Sequence, residues 1–159
     1  MSTASYFPST VDRVPDNTAD EYNQRIRQAM ERRVSHYGRM GRAAIDRRLA
    51  ELDEEWDVER WLETNAATAV VVGCTLSLAA DRRFILLPLA VGGFLLQHAL
   101  QGWCPPMPFF RAWGVRTQSE IDEERYALKT LRGDFAAAGA AGNQPGNRSP
   151  QHALDAVRR

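Results

Sequence analysis

The chain has 159 residues, 44% hydrophobic and 25% charged, and its 20 basic and 20 acidic side chains cancel. That length fits one modest domain and excludes a large multidomain enzyme. The zero net charge hides a segregation: from Ala66 to Cys104 only Asp81, Arg82 and Arg83 are ionised, and every other charge lies in the flanks.

Residues 1–20 are rich in Ser, Thr, Asp and Pro and lack a basic start followed by an apolar run, so they read as a flexible arm without a cleavable signal peptide. Over 21–63 apolar residues recur at three or four positions: Tyr22, Ile26, Met30, Val34 and Tyr37, then Ile45, Leu49, Leu52, Trp56 and Leu62. Gly38 and Gly41 interrupt this amphipathic pattern and predict a break between two helices. Eight arginines stand between Arg25 and Arg48 against Glu31 and Asp46, whereas Glu51 to Glu63 holds seven acids against Arg60. Such blocks fit three arrangements: a solvated surface, a basic face lying on anionic headgroups, or a basic block folded back on the acidic one.

Residues 64–114 read as a two-helix transmembrane hairpin. Its apolar stretches, Ala66 to Ala80 and Phe84 to Cys104, are separated only by Asp81, Arg82 and Arg83. At 1.5 Å per residue the second covers roughly 32 Å and the first roughly 22 Å, so the first needs Trp61 and Leu62 to extend it through the interface. A buried hairpin in a soluble helical domain would show the same weak first stretch. Trp56, Trp61, Trp103 and Trp113 all fall near the outer ends of the hairpin, as an interfacial belt requires. Arg47, Arg48, Arg60, Arg111 and Arg116 outnumber Arg82 and Arg83 at the turn, which places both termini in the cytoplasm.

Ala69, Gly73 and Ser77 recur at four-residue spacing on the first stretch, and Gly93, Gln97 and Gln101 on the second, so a small-residue seam is expected to meet a polar one. The two glutamines fit helix packing, with contact to a solute as the alternative. His98 is the single ionisable side chain of the second stretch and a possible polar site, although neither stretch supplies a carboxylate or a second histidine beside it. His98 and Cys104, six apart, do not share a helix face, so no metal site is expected. Cys74 lies about 12 Å into its helix and Cys104 at the end of the other, which rules against a disulfide. Cys74 reads as a packing residue and Cys104 as a candidate reactive thiol.

Pro105, Pro106 and Pro108 stop the second helix, and Phe109, Phe110 and Trp113 follow as an interfacial apolar patch. In 115–135, Thr117 with Glu120 has capping-box spacing, and Ile121, Leu128 and Leu131 before Gly133 predict a short cytoplasmic helix ending near Arg132. Residues 136–159, rich in Ala, Gly, Asn and Pro, read as a disordered tail. The fold class expected is all-α: a transmembrane helical hairpin with amphipathic cytoplasmic helices and disordered tails. No phosphate loop, catalytic triad or carboxylate pair is visible, so no catalytic residue, cofactor or nucleic-acid partner is expected.

The stretch from Ala66 to Gly114, with Gly102-Trp103-Cys104-Pro105 near its end, resembles the YgaP-type inner-membrane domain. The flanks 52–60 and 124–135 look like a longer-tailed bacterial version of it. The resemblance implies a bacterial inner-membrane hairpin that pairs as a homodimer. In YgaP-type proteins the hairpin anchors a cytoplasmic sulfurtransferase domain. This chain has no cysteine before Cys74, so that domain and its nucleophile do not carry over. Two functions are therefore expected: a non-enzymatic hairpin that presents cytoplasmic helices to a protein partner, or a membrane-bound sulfur or redox acceptor using Cys104 with a separate sulfurtransferase.

Overall fold

The computed structural model describes residues 8–136. The proposed tail, from residue 137 on, lies outside the described residues, as do the first seven residues of the arm. The described chain is all-helical. A 3-10 turn at Pro15–Asn17 precedes α1 (Asp20–Met40), α2 (Arg42–Glu54), α3 (Val58–Ala79), a second 3-10 turn at Arg82–Ile85, α4 (Leu86–Gln101), α5 (Met107–Ala112) and α6 (Gln118–Arg132). The break between α1 and α2 falls at Gly41, whose φ of 88° is strained for any side chain. α6 ends at Arg132, where Gly133 at φ 90° donates to the Thr130 carbonyl and Asp134 to that of Lys129, the hydrogen-bond pair of a left-handed helix stop.

The chain divides into two compact units: Met1–Arg27 with Trp56–Ser119, and Gln28–Glu55 with Glu120–Arg159. In the second, α2 and α6 bury Ile45, Leu49 and Leu52 against Ile121 and Leu128, with Tyr37 packed on the cluster. Glu124, fully buried, sits among these helices and carries the charge contacts that hold them. Its carboxylate accepts from Arg33 Nε at 3.0 and 3.2 Å and from Arg48 Nε at 2.9 Å. Arg48 also reaches Glu51 at 3.0 Å and Glu55 at 3.5 Å. Burial opposes the charge on Arg48, yet its hydrogen bonds to Glu124 and Glu51 prevail and hold its pKa above the ordinary arginine value. Arg132 pairs with Asp46 at 2.6 Å and with Asp134, whose carboxyl is held below the usual range by that hydrogen bond.

These contacts refine the reading of the charge blocks. Arg48 folds back on the acidic block. Arg33 and Arg48 converge instead on an acid 91 and 76 residues away. Arg25, Arg27, Arg32, Arg39, Arg42 and Arg47 are exposed and form no ion pair among the described residues.

In the first unit α3 packs along α4 and the turn before it. α3 starts eight residues before Ala66 because the Asp57 side chain caps it, accepting from Arg60 N at 2.9 Å. Its 22 residues cover about 33 Å. α4 has 16 residues, about 24 Å, and the four-residue 3-10 turn adds about 8 Å. The weaker apolar stretch thus belongs to the longer helix, and both arms match a hydrocarbon core of about 30 Å.

Both helices are long and apolar enough to cross a membrane, and only 11% and 6% of their most apolar stretches are buried. Leu78 is 91% exposed, and Val71, Leu86, Leu89 and Leu96 are also open. A hairpin enclosed in a soluble domain would bury these side chains. The seam is asymmetric. Ala69, Gly73 and Ser77 face inward on α3, and a Cβ at Gly73 would lie 2.6 Å from Pro88 Cδ. On α4 the inward residues are Pro88, Val91, Leu95 and His98, spaced three, four and three. Gly93 meets nothing within 4 Å and Gln101 is exposed, which corrects the expected polar face; Gln97 is half-buried.

Part of the expected loose arm is folded. Val14 joins Val58, Leu62, Cys104, Met107 and Phe110 in a buried cluster on which Trp103 packs. Arg111 and Arg116, read in the sequence as flanking charges at the interface, are 1% and 3% exposed. Arg111 donates to Thr18 Oγ1, Asn23 Oδ1 and the Val115 carbonyl, so it ties the arm and α1 to α5 instead of meeting headgroups.

Candidate functional site

The last turn of α4 decides the site. Gly102 donates to the His98 carbonyl at 2.7 Å and, at φ 80°, turns the chain out of the helix. A six-residue separation would put His98 and Cys104 on different faces of a continuous helix, but this left-handed residue ends the helix between them, and Cys104 is buried in the cluster with Val58 and Leu62. Cys104 is 3% exposed and its carbonyl accepts from Met107 N, the start of the next turn.

The imidazole of His98 meets a carboxylate that the apolar stretches do not contain. His98 Nε2 lies 2.8 Å from Glu59 Oε2, across the hairpin, because α3 begins well before its apolar stretch and Glu59 is on its first turn. The expectation that no carboxylate accompanies His98 is therefore corrected. Arg13 completes the row: one guanidinium nitrogen lies 2.8 Å from Glu59 Oε1 and the other 2.9 Å from the Ala99 carbonyl. Asn17 caps the same helix end, donating to the Gln101 carbonyl at 2.7 Å. The hydrogen-bonded order is Arg13, Glu59, His98.

An ionised carboxylate only accepts hydrogen bonds, so with Glu59 charged the Nε2 of His98 carries a proton directed at it. The Nδ1 of His98 is buried without a hydrogen-bond partner among the described residues. Among the described residues no three acids, histidines or cysteines are grouped to hold a metal ion. A cavity of about 250 Å³ lies between α3 and α4, lined by Ala66, Ala69, Val91, Phe94, Leu95 and the Cys104 end of the hairpin. Cys74, half-buried on α3, is a second free thiol remote from this row in the chain.

Three of the four tryptophans join one aromatic row. Trp56 and Trp61 stack at 5.3 Å, Trp61 and Phe110 at 5.9 Å, Phe110 and Trp113 at 6.1 Å, and Arg60 lies 4.2 Å over Trp56. Trp103 alone turns inward onto the buried cluster. Glu59 and Arg13 escape sequence reasoning because their partners lie 39 and more residues away. The available signal was Gly102, a helix stop placed one turn after His98 and two residues before Cys104.

Comparison with protein-family models, curated proteins and solved structures gives no match to this chain.

Gly102 provides a direct check. A Cβ there would fall 2.2 Å from the Arg13 carbonyl oxygen, a backbone atom, and the φ of 80° adds strain. Gly102→Ala is expected to cost about 1–3 kcal/mol and to loosen the Arg13 segment, so trypsin should cut at Arg13 roughly tenfold faster or more. An unchanged cleavage rate would show that the arm does not depend on this contact.

Proposed function

We propose that the chain is an integral membrane protein in which α3 and α4 cross a bacterial inner membrane as a hairpin, with both termini cytoplasmic. The observation that carries this reading is the exposure of apolar side chains along two helices of bilayer length. The aromatic row at the chain-terminal end of the hairpin supports an interface there. In this reading the protein is non-enzymatic as an anchor, self-associates as a homodimer in the manner the YgaP-type resemblance implies, and presents its charged helices to a cytoplasmic protein partner. The unpaired arginines Arg25, Arg27, Arg32, Arg39, Arg42 and Arg47 are available for anionic headgroups or that partner.

Alkaline carbonate and urea should leave the full chain in the membrane pellet, and reporters at both ends should stay on the cytoplasmic side. Release into the supernatant, or a reporter found outside, would overturn the anchoring.

A second reading has a specific observation behind it: Cys104 as the acceptor nucleophile of a group-transfer reaction, with sulfur or an oxidising equivalent as the group. The Glu59–His98 pair supports it, since it orients an imidazole in the last turn of the helix that Cys104 follows, and an imidazole near a thiol is what makes cysteine nucleophilic.

A further inference from the structure

We infer that one face of α1 is a docking surface for anionic phospholipid headgroups of the bilayer that the hairpin crosses, with Arg25, Arg32 and Arg39 as its phosphate-binding side chains. The inference rests on the anchoring reading above and names what these arginines meet. They stand seven residues apart, close to two helical turns, so they share one stripe of α1 about 21 Å long. Gln28, Ser35 and His36 fill the stripe between them, and all six side chains are exposed. Ile26 and Met30, on the other side of the helix, are buried, so the stripe is the side left free. Glu21, one turn before Arg25, is the one acid of α1 on it, whereas the flank that carries Arg27 also carries Asp20 and Glu31.

Elsewhere the chain pairs its arginines. Arg13, Arg33, Arg48 and Arg125 each reach a carboxylate, but none of the three on the stripe forms an ion pair among the described residues, and Arg25 has the Tyr22 ring at 5.4 Å. In a chain with equal numbers of acids and bases, a one-sign stripe calls for an anion from outside.

Two observations favour lipid over an acidic protein. None of the six side chains is apolar, whereas protein interfaces draw their affinity from buried aromatic and aliphatic anchors. Headgroup adsorption needs charge alone and gains roughly fivefold per arginine near an anionic surface. The stripe also begins beside the aromatic row. Asn23, two residues before Arg25, accepts from Arg111 Nη2 at 2.9 Å, and Arg111 belongs to α5, where Phe109 is 66% exposed and the following Trp113 77%. A helix tied there meets the membrane surface at high effective concentration.

The test uses the wild-type full chain in nanodiscs, either of phosphatidylcholine alone or of an equal mixture with phosphatidylglycerol. Phenylglyoxal modifies accessible guanidinium groups, and mass spectrometry reads each arginine. Relative to Arg27, the internal control on the mixed-charge flank, Arg25, Arg32 and Arg39 should react at least about fivefold more slowly in the anionic discs. Salt at about 1 M, where the Debye length falls to about 3 Å, should restore the phosphatidylcholine rates. Soluble glycerol phosphate added to phosphatidylcholine discs should protect none of them. Unchanged ratios would overturn the proposal and leave the stripe to an acidic protein partner. Equal slowing at Arg27 would overturn it in favour of a general surface potential, and equal protection by glycerol phosphate in favour of a free-phosphate site. Carbonate extraction keeps the two readings apart. A chain that stays in the pellet without protection loses the docking surface alone. A chain that washes out loses the anchoring, and the same rates with added vesicles of the two compositions then decide the stripe.

Discussion

Replacing Glu124 with alanine is expected to cost the second unit about 3–5 kcal/mol, the usual consequence of removing one partner from a buried charge cluster. Glu124 is 0% exposed, and its two oxygens satisfy Arg33 from α1 and Arg48 from α2 at 2.9–3.2 Å. Without it two guanidinium groups face each other across a cluster of Leu49, Leu52, Ile121 and Leu128. Arg48 keeps Glu51 and Glu55, which soften the loss but stand nearer to solvent. All four tryptophans lie outside this unit, so fluorescence would not follow it. Amide exchange in α2 and α6 would: protection should fall roughly 100- to 4,000-fold, since about 1.4 kcal/mol is a factor of ten. Glu124→Gln, which keeps one acceptor oxygen and puts an amide donor in place of the other, should fall between. Unchanged protection in Glu124→Ala would mean that the apolar cluster alone holds these helices.

At the hairpin the expected large effect is Gly73→Leu. The Cβ alone would stand 2.6 Å from the Pro88 ring and 3.3 Å from Leu87, and a proline ring cannot swing aside as a long side chain can. The helices must separate, at a cost of about 1–3 kcal/mol or more, and the close contact that substitutes for hydrophobic drive within a bilayer is lost. Val71→Leu, at a position 64% exposed, should stay within about 0.5 kcal/mol. Unfolding in micelles followed through the tryptophans separates the two, and crosslinking in detergent reads the dimer. Equal midpoints and equal crosslinking yields would put the seam elsewhere on α3.

The same comparison shows where sequence reasoning loses reach on α4. Four-residue spacing correctly groups Gly93, Gln97 and Gln101 on one strip, yet that strip is not the one α3 meets. Pro88, Val91, Leu95 and His98 meet it instead. Periodicity states which residues share a face, and the turn between helices decides which face is turned inward. Here the turn contains a 3-10 segment at Arg82–Ile85, which rotates the start of α4 relative to a continuous α-helix.

The buried glutamate has a comparable history. Ile121 and Leu128 mark the inner face of α6, and Glu124, three residues after Ile121, lies on that face too. A carboxylate on an apolar stripe signals a buried partner without saying which. Arg33 and Arg48 supply it from distant helices.

What the sequence by itself determined is the helical class, a break near Gly38 and Gly41, two helices of membrane length and the stop near Arg132. Each follows from local physics: apolar period, glycine at a helix end, length against bilayer thickness. Only the tertiary structure decided that Glu59 meets His98, that Cys104 is buried with Val14 and Val58, that Arg13 reaches the end of α4, and that Arg111 and Arg116 are buried. Those pairings join residues far apart in the chain, and their partners are chosen by packing and charge neutralisation after the helices have met, which no local pattern records.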